Sequence, residues 1–173
     1  MRLLLLRHAK SDWGDQELAD IDRPLNSRGK SAAVTMARYL REQKLLPNVI
    51  LCSTAQRTRE TLARLMPYLP QEAHIELMSD LYWQSEDSYA TLISKHGGRA
   101  QNVMVIGHNP ATEDTALDLV GTSAPETLGA LQEKYPTAAL AVIDFDFTDW
   151  SELAPGTGHL ERFVKPRDLQ SEK

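Results

Sequence analysis

The chain has 173 residues, of which 42% are hydrophobic and 25% are charged. This is the ordinary composition of a globular protein, so we predict a single domain over residues 1–173 with a sizeable core. The formal net charge of -5 argues against a protein that binds nucleic acid or a membrane surface, and any anionic ligand must meet a local cluster of positive charge. One cysteine, Cys52, excludes an internal disulfide, and no apolar run is long enough for a signal peptide or a membrane span, so we expect a cytoplasmic protein.

In chain order, the first eleven residues, MRLLLLRHAKS, contain a predicted strand followed directly by candidate catalytic or ligand-binding side chains. The apolar run 3–6 predicts a strand buried on both faces of a sheet, and it ends at Arg7 and His8, which a buried strand disfavours. In open α/β sheets, ligands bind outside the carboxyl ends of the strands. An imidazole there can act as a nucleophile or a base, and a guanidinium can hold an oxyanion bidentately. A strand that simply leaves the core through two polar residues would give the same pattern.

Residues 12–121 alternate predicted helices and strands. After a polar loop, Asn26 or Ser27 can cap a helix, and Ser53 can open the next one. Further strands are predicted at 49–52, 74–78 and 103–107. Further helices are predicted to begin at Ser85 and at Asn109 and Pro110, with Gly97, Gly98 and Gly121 as their ends.

The residues after 121 follow a different pattern. A short helix is predicted at 128–131 and ends before Pro136. The alternation of apolar residues with aspartates over 143–147 predicts a half-buried strand, which can pair in antiparallel fashion with a strand at 160–164. The expected fold is therefore α/β, a three-layer sandwich with a mostly parallel mixed sheet, helices on both faces and an antiparallel C-terminal edge.

Basic side chains follow three of the predicted parallel strands: Arg7 and His8 after the first, Arg57 after the second and His108 after the fourth. Arg57 and His108 also stand at the starts of predicted helices, whose free N–H groups favour anions, phosphate above all. Two arginines and two histidines would thus converge on one crevice. Taken singly, Arg57 could form a surface ion pair with Glu60, and His108 could be a histidine hydrogen-bonded at the sheet edge.

Three segments carry a family resemblance: Leu-Arg-His-Ala-Lys-Ser at 6–11, Ser-Thr-Ala-Gln-Arg-Thr at 53–58 and Gly-His-Asn at 107–109. In this order they resemble the motifs of the histidine phosphatase (phosphoglycerate mutase-like) superfamily. The short chain and the Asp-Arg-Pro-Leu segment at 22–25 are similar to its small SixA-type phosphohistidine phosphatases. The resemblance runs from residue 2 to about residue 121, and it implies a phosphoglycerate mutase-like fold and a phosphatase activity.

The resemblance implies a covalent mechanism without a cofactor or a metal. His8 would be the nucleophile and would carry the phosphoryl group as phosphohistidine until water removes it. Arg7, Arg57 and His108 would bind the phosphoryl oxygens, and Arg23 would add a further contact, with a solvated arginine as the alternative. The attacking nitrogen of His8 must be unprotonated, so its other ring nitrogen should donate to a fixed acceptor. The sequence does not identify that acceptor.

Two features depart from the family pattern. Gly14 stands where larger relatives have an asparagine that contacts phosphate. Relatives that act on phosphate esters carry an acidic glutamate after the third strand, where this chain offers Asp80, Glu86 and Asp87, none in an unambiguous place. An alkoxide leaving group needs a proton in the transition state, whereas an imidazole, with a conjugate-acid pKa of about 6.5, leaves far more readily. A missing acid therefore favours phosphohistidine of a protein as the substrate, with small phosphate monoesters as the alternative.

Two other interpretations stay open at this point. Cys52 and Arg57 are similar to the reactive pair of cysteine-dependent phosphatases, although one residue too few lies between them, and Cys52 fits a core position better. A non-catalytic phosphate-binding module that had kept the pocket and lost turnover would have nearly the same sequence. The expected partner is a phosphorylated protein or a small phosphorylated substrate. The sequence does not indicate the oligomeric state, and we expect a monomer.

Overall fold

The computed structural model describes residues 1–83 and 86–170, and a seven-stranded mixed sheet forms its centre. The strands are β1 (Arg2–Arg7), β2 (Val49–Ser53), β3 (His74–Met78), β4 (Asn102–Gly107), β5 (Val120–Ser123), β6 (Leu140–Asp144) and β7 (Gly158–Val164). Their order across the sheet is β3-β2-β4-β1-β6-β7-β5.

Strand β1 lies in the middle of this sheet. It pairs in parallel with β4 and in antiparallel fashion with β6. Its residues 3–6 are fully buried, as the unbroken apolar run predicts for a strand covered on both faces. Because β2 pairs in parallel with both β4 and β3, the carboxyl ends of these four strands meet at one edge of the sheet.

Five α-helices of the described residues cover the two faces of the sheet: α1 (Ser27–Glu42), α2 (Gln56–Leu65), α3 (Tyr89–His96), α4 (Ala111–Leu119) and α5 (Pro125–Glu133). Helices α1 and α2 share a core with Leu4 and Leu6, whereas α3, α4 and α5 share the opposite core with Leu3 and Leu5. Successive β1 side chains thus point into different cores, and burying each leucine contributes about 2 kcal/mol. The three-layer α/β fold is confirmed, and a single domain over 1–173 stays a prediction. None of the described helices is long and apolar enough to cross a membrane.

The C-terminal strands β6 and β7 form an antiparallel pair, as predicted, but the first of them lies earlier in the chain. It spans Leu140–Asp144 rather than 143–147, and it runs between β1 and β7 with residues 140–143 buried. Phe145 and Phe147 follow the strand and pack against each other and against Trp150. Their alternation with aspartates therefore reflects an aromatic cluster beyond the strand, not a half-buried strand.

Strand β5 was not predicted from the sequence. It pairs in parallel with β7 and forms the outer edge of the sheet on that side. Gly121, predicted as a helix end, lies within β5, while α4 ends two residues earlier, at Leu119. A Cβ atom at Gly121 would come within 1.9 Å of the carbonyl oxygen of Gly156. The close approach of the two backbones, and not a helix cap, therefore requires glycine here.

The helix starts follow the capping side chains only in part. Asn26 caps α1 as predicted, because its side-chain oxygen accepts the N–H of Gly29 at 2.8 Å. Ser53 stays in β2 and is not the cap of α2, which begins at Gln56 after an alanine. Ser85 lies outside the described residues, and α3 is capped by Ser88.

Candidate active site

The carboxyl edge of the parallel strands brings the five candidate basic residues to one pocket of about 630 Å³. Arg7 ends β1, Arg57 lies in the first turn of α2, and His108 follows β4. His8 and Arg23 are 7% and 8% exposed, and Arg57 is 5% exposed. Charged side chains are rarely this buried unless they have partners, so their contacts define what the site can bind.

The ring of His8 is held by a backbone carbonyl. Its Nδ1 atom lies 2.7 Å from the oxygen of Ala9, and because a carbonyl can only accept, Nδ1 must carry the proton. The N–H of Ala9 donates to Thr61 Oγ1 at 3.0 Å, and the Thr61 hydroxyl donates to the carbonyl of Arg57. Helix α2 thus holds the backbone of Ala9 in place, and the Ala9 carbonyl in turn fixes the orientation of the His8 ring. The Nε2 atom keeps its lone pair for reaction.

The protonation state of His8 suits a nucleophile. Burial lowers the pKa of His8 to about 3, opposed by the hydrogen bond to Ala9 and reinforced by His108, Arg57 and Arg7. A protonated imidazole has no lone pair on Nε2 and cannot attack. At neutral pH this histidine is therefore uncharged and competent.

His108 faces His8 across the pocket, with 5.1 Å between the ring centroids. Its Nε2 lies 2.8 Å from Ser53 Oγ, which already accepts the N–H of Ala55. This arrangement favours a tautomer in which the Ser53 hydroxyl donates to Nε2, so that Nδ1–H is a donor. The Nδ1 atom is buried and has no hydrogen-bond partner in the part of the chain that the structure describes. Burial, together with the charge of Arg57, lowers the pKa of His108 to about 4, so this ring is neutral as well.

Among the described residues, four buried polar atoms of the pocket lining have no hydrogen-bond partner: the donors Arg7 Nε, Arg57 Nε and His108 Nδ1, and the acceptor Asn109 Oδ1. Another nitrogen of Arg7 donates to the carbonyl of Tyr135 at 2.7 Å, which anchors that side chain. An unsatisfied buried donor costs about 1–3 kcal/mol. Three such donors on two arginines and a histidine form a site for an oxyanion, where each of them would gain an acceptor.

A carboxylate that the sequence did not single out binds donors of both Arg23 and Arg57. Asp20 accepts from Arg57 at 3.1 Å and from Arg23 at 2.8 Å, and the hydroxyl of Tyr82 donates to it at 2.9 Å. Partial burial acts to raise the pKa of Asp20, but the hydrogen bond from Tyr82 and the two arginines outweigh it and hold the value at about 2. Asp20 is therefore ionised throughout the ordinary pH range.

The three carboxylates that were candidates for a general acid are not part of the pocket lining. Asp80 and Glu86 are exposed, and Asp87 forms an ion pair with Lys95 at 2.7 Å. The described residues contain no group of three or more histidine, cysteine, aspartate or glutamate side chains placed to hold a metal ion.

Cys52 is fully buried in β2 and belongs to the core shared with α1 and α2. Burial raises the pKa of its thiol to about 12. A buried neutral thiol is not a nucleophile at neutral pH, so the structure argues against the cysteine-dependent mechanism.

Comparison with known proteins adds the family context. The model of the histidine phosphatase superfamily (branch 1) matches residues 3–82. A crystal structure of a putative phosphohistidine phosphatase SixA from Agrobacterium tumefaciens is 31% identical, with a TM-score of 0.79 over 95% of this chain and 97% of that one. An uncharacterized protein of Mycobacterium tuberculosis is 33% identical over 94% of this chain and 100% of its own length. A putative alpha-ribazole-5'-P phosphatase from Escherichia coli, 15% identical with a TM-score of 0.63 over 96% of this chain and 98% of that one, shares the fold.

Proposed function

The chain belongs to the histidine phosphatase superfamily and is a phosphatase, and we propose that it hydrolyses phosphohistidine of a protein through a covalent intermediate on His8. The observation that carries the mechanism is the fixed, neutral His8 ring, whose Nδ1–H is bound by the carbonyl of Ala9. Its Nε2 lone pair lies in a pocket with three unsatisfied donors for an oxyanion.

In the first step, the Nε2 lone pair of His8 attacks phosphorus in line, and the bond from phosphorus to the substrate nitrogen breaks. The electron pair of that bond stays on the leaving imidazole, which takes a proton from solvent. Arg7, Arg57 and His108 donate to the phosphoryl oxygens, whose spread negative charge is the main feature of the transition state. Arg23 supports this end of the pocket through its contact with Asp20.

In the second step, water attacks the phosphorus of the intermediate. The bond from phosphorus to Nε2 breaks, its electron pair returns to His8, and the proton of water leaves with inorganic phosphate or to solvent. Because Nδ1 keeps its proton throughout, the ring returns to the tautomer from which it started.

The leaving group is the reason for preferring phosphohistidine to a phosphate ester. Asp20 lies beside the pocket, but with a pKa of about 2 it has no proton to give, and Asp80, Glu86 and Asp87 lie outside the lining. An imidazole leaves without a strong acid, whereas an alkoxide requires one. Hydrolysis of small phosphate monoesters by the same two steps is the second candidate, since the oxyanion site would be the same for both.

Several expectations belong to the same proposal. The positive charge at the reacting phosphoryl group comes from side chains, so we propose that the enzyme needs no cofactor and that a metal chelator leaves its activity unchanged. Restoration of a lost activity by magnesium or zinc would contradict this. A cytoplasmic location and a monomeric state stay predictions.

The function is tested by measuring steady-state rates on a phosphohistidine protein beside a panel of phosphate esters. We expect the phosphoramidate to have the higher kcat/KM. Brief mixing with labelled substrate should leave acid-labile phosphate on the wild-type chain and none on His8→Asn. Efficient ester turnover would contradict the substrate class, and unlabelled, inactive wild-type protein would favour a phosphate-binding module.

A further inference from the structure

The active-site pocket continues into a second depression of about 440 Å³. The two share five lining residues, which lie at the turn after β1, the start of α1 and the segment after α5: Lys10, Arg28, Lys134, Pro136 and Thr137. A group bound at His8 can therefore extend along these shared residues into the second depression.

The second depression is strongly basic. Eleven of the described residues line it, and five of these carry positive charge: Lys10, Arg28, Lys134, Lys165 and Arg167, which define what we call the basic groove. One lining residue, Glu133, is negative. The whole chain has more acidic than basic residues, 24 against 19, so the groove is opposite in sign to the molecule.

Lys165 is the best-buried cation of the groove. Its side chain is 6% exposed, whereas that of its ion-pair partner Glu133, at 3.4 Å, is 72% exposed. A long ion pair to a solvated carboxylate compensates a buried ammonium weakly. Lys165 therefore gains from an additional anion, and it lies at the end of the groove remote from His8, because it lines the second depression and not the first.

We propose that the basic groove binds an acidic segment of the phosphorylated protein, next in sequence to its phosphohistidine. This inference rests on the proposed function and names how the partner is recognised. An extended chain advances about 3.3 Å per residue, so a run of aspartates or glutamates leaving the reacting histidine would follow the cations from Lys10 and Arg28 to Arg167. Complementary charge of this kind accelerates encounter and selects partners.

An acidic protein segment fits the groove better than the other polyanions. A nucleic acid would also meet the net charge of -5 beyond the groove, where it is repelled. A small phosphate ester would fill the pocket at His8 and would not extend to Lys165, which lines only the second depression.

The test compares two phosphohistidine peptides, one with glutamates and one with glutamines in the same positions beside the histidine. At low salt we expect kcat/KM to be about tenfold higher for the glutamate peptide than for the glutamine peptide. The difference should lie in KM, and it should disappear at high salt. Equal values for both peptides would overturn the inference.

Charge reversal within the groove supplies the matched variants. Arg167 is 75% exposed, and Arg167→Glu should remove most of the preference for the glutamate peptide while leaving hydrolysis of free phosphohistidine unchanged. Ser31→Glu, on the exposed wall of the groove, should act in the same direction. Arg64→Glu makes the same charge change as Arg167→Glu at the far end of α2, in an exposed position, and should have no effect. If Arg64→Glu and Arg167→Glu reduced the preference for the glutamate peptide equally, the overall charge of the protein and not the basic groove would determine that preference. This result would overturn the proposal.

Failure of the proposed function can be distinguished from failure of the groove proposal. If the wild type hydrolyses neither free phosphohistidine nor either peptide, the proposed function is wrong. The groove is then tested by binding of the glutamate peptide without a phosphoryl group, measured by fluorescence anisotropy, with single-stranded DNA and a bisphosphate as competitors. Binding of the peptide that Arg167→Glu weakens supports the groove, whereas tighter binding of the DNA or the bisphosphate overturns the acidic-segment assignment.

Discussion

Asp20 is an internal anion bound to Arg23 and to Arg57, and because we propose that Arg57 binds the phosphoryl group, removal of the Asp20 charge should strengthen phosphate binding. Asp20→Asn keeps the shape of the side chain and removes its charge. Arg57 would keep its hydrogen bond to the backbone carbonyl of residue 20, at 2.7 Å. Arg23 would keep its bond to Ser11 and its stacking on Trp13, at 3.5 Å from the ring centroid. Both arginines should therefore stay in place, and their positive charge would no longer be neutralised by the Asp20 carboxylate.

The size of the effect follows from the geometry. Two unit charges roughly 4 Å apart attract by about 1 kcal/mol in water and about 4 kcal/mol near a protein surface. Because the side chain of Asp20 is 52% exposed, we take the lower part of this range. Inorganic phosphate should bind Asp20→Asn about tenfold more tightly, or about 1.4 kcal/mol. The loss of two ion pairs made by a half-exposed carboxylate should lower the free energy of unfolding by about 1 kcal/mol.

The assay is product inhibition of phosphohistidine hydrolysis by inorganic phosphate, in the wild type and in Asp20→Asn, with urea unfolding of both proteins. Weaker inhibition in the variant would refute the reasoning, since it would mean that the carboxylate positions the arginines instead of competing with phosphate. A selective loss of kcat on phosphate esters would identify Asp20 as an acid.

Four further predictions test the mechanism and the electrostatics. His8→Ala should abolish turnover with an unchanged circular dichroism spectrum, and substantial residual activity would exclude His8 as the nucleophile. Arg57→Ala should cost about 2–4 kcal/mol of transition-state stabilisation, mainly in kcat, and an effect on KM alone would assign it to ground-state binding. Cys52→Ser should leave kcat within a few fold, because the buried thiol does no chemistry; an inactive, folded variant would contradict this. The pKa values of about 3 for His8 and about 4 for His108 lie below the value of about 6.5 for histidine in the unfolded chain. As pH falls, the unfolded chain therefore binds protons before the folded chain does. The free energy of unfolding should decrease as pH drops from about 6.5 towards 3. Urea unfolding at several pH values checks the slope, which should be smaller in His8→Asn.

The convergence of the candidate site residues could be predicted because it depends on strand order. Arg7, Arg57 and His108 each follow a parallel strand, and the carboxyl ends of parallel strands meet at one edge whatever the exact boundaries are. The central strand could also be predicted, because a short continuous apolar run such as 3–6 is typical of a strand that is buried on both faces of a sheet.

The parts that could not be predicted depend on loop conformation and distant contacts. Asp20 binds Arg57 from a single 3-10 turn, Asp20–Asp22, that lies 37 residues away in the chain, and the local signal in the sequence was its three-residue spacing from Arg23. The acceptor for His8 is a backbone carbonyl, which any residue at position 9 would supply, so no sequence pattern marks it. Strand β5 has two exposed residues among its four, and a short edge strand of this kind lacks a hydrophobic period.

If the proposed mechanism holds, the hydrogen bond between His8 Nδ1 and the Ala9 carbonyl also determines which ring nitrogen carries the phosphoryl group. Phosphohistidine exists as two isomers, substituted at one ring nitrogen or the other, and they differ in chemical shift and in lifetime. With Nδ1 protonated and held at 2.7 Å, the phosphoryl group can join the ring only at Nε2. A trapped intermediate should therefore consist of a single isomer, even when the substrate is offered as a mixture of both.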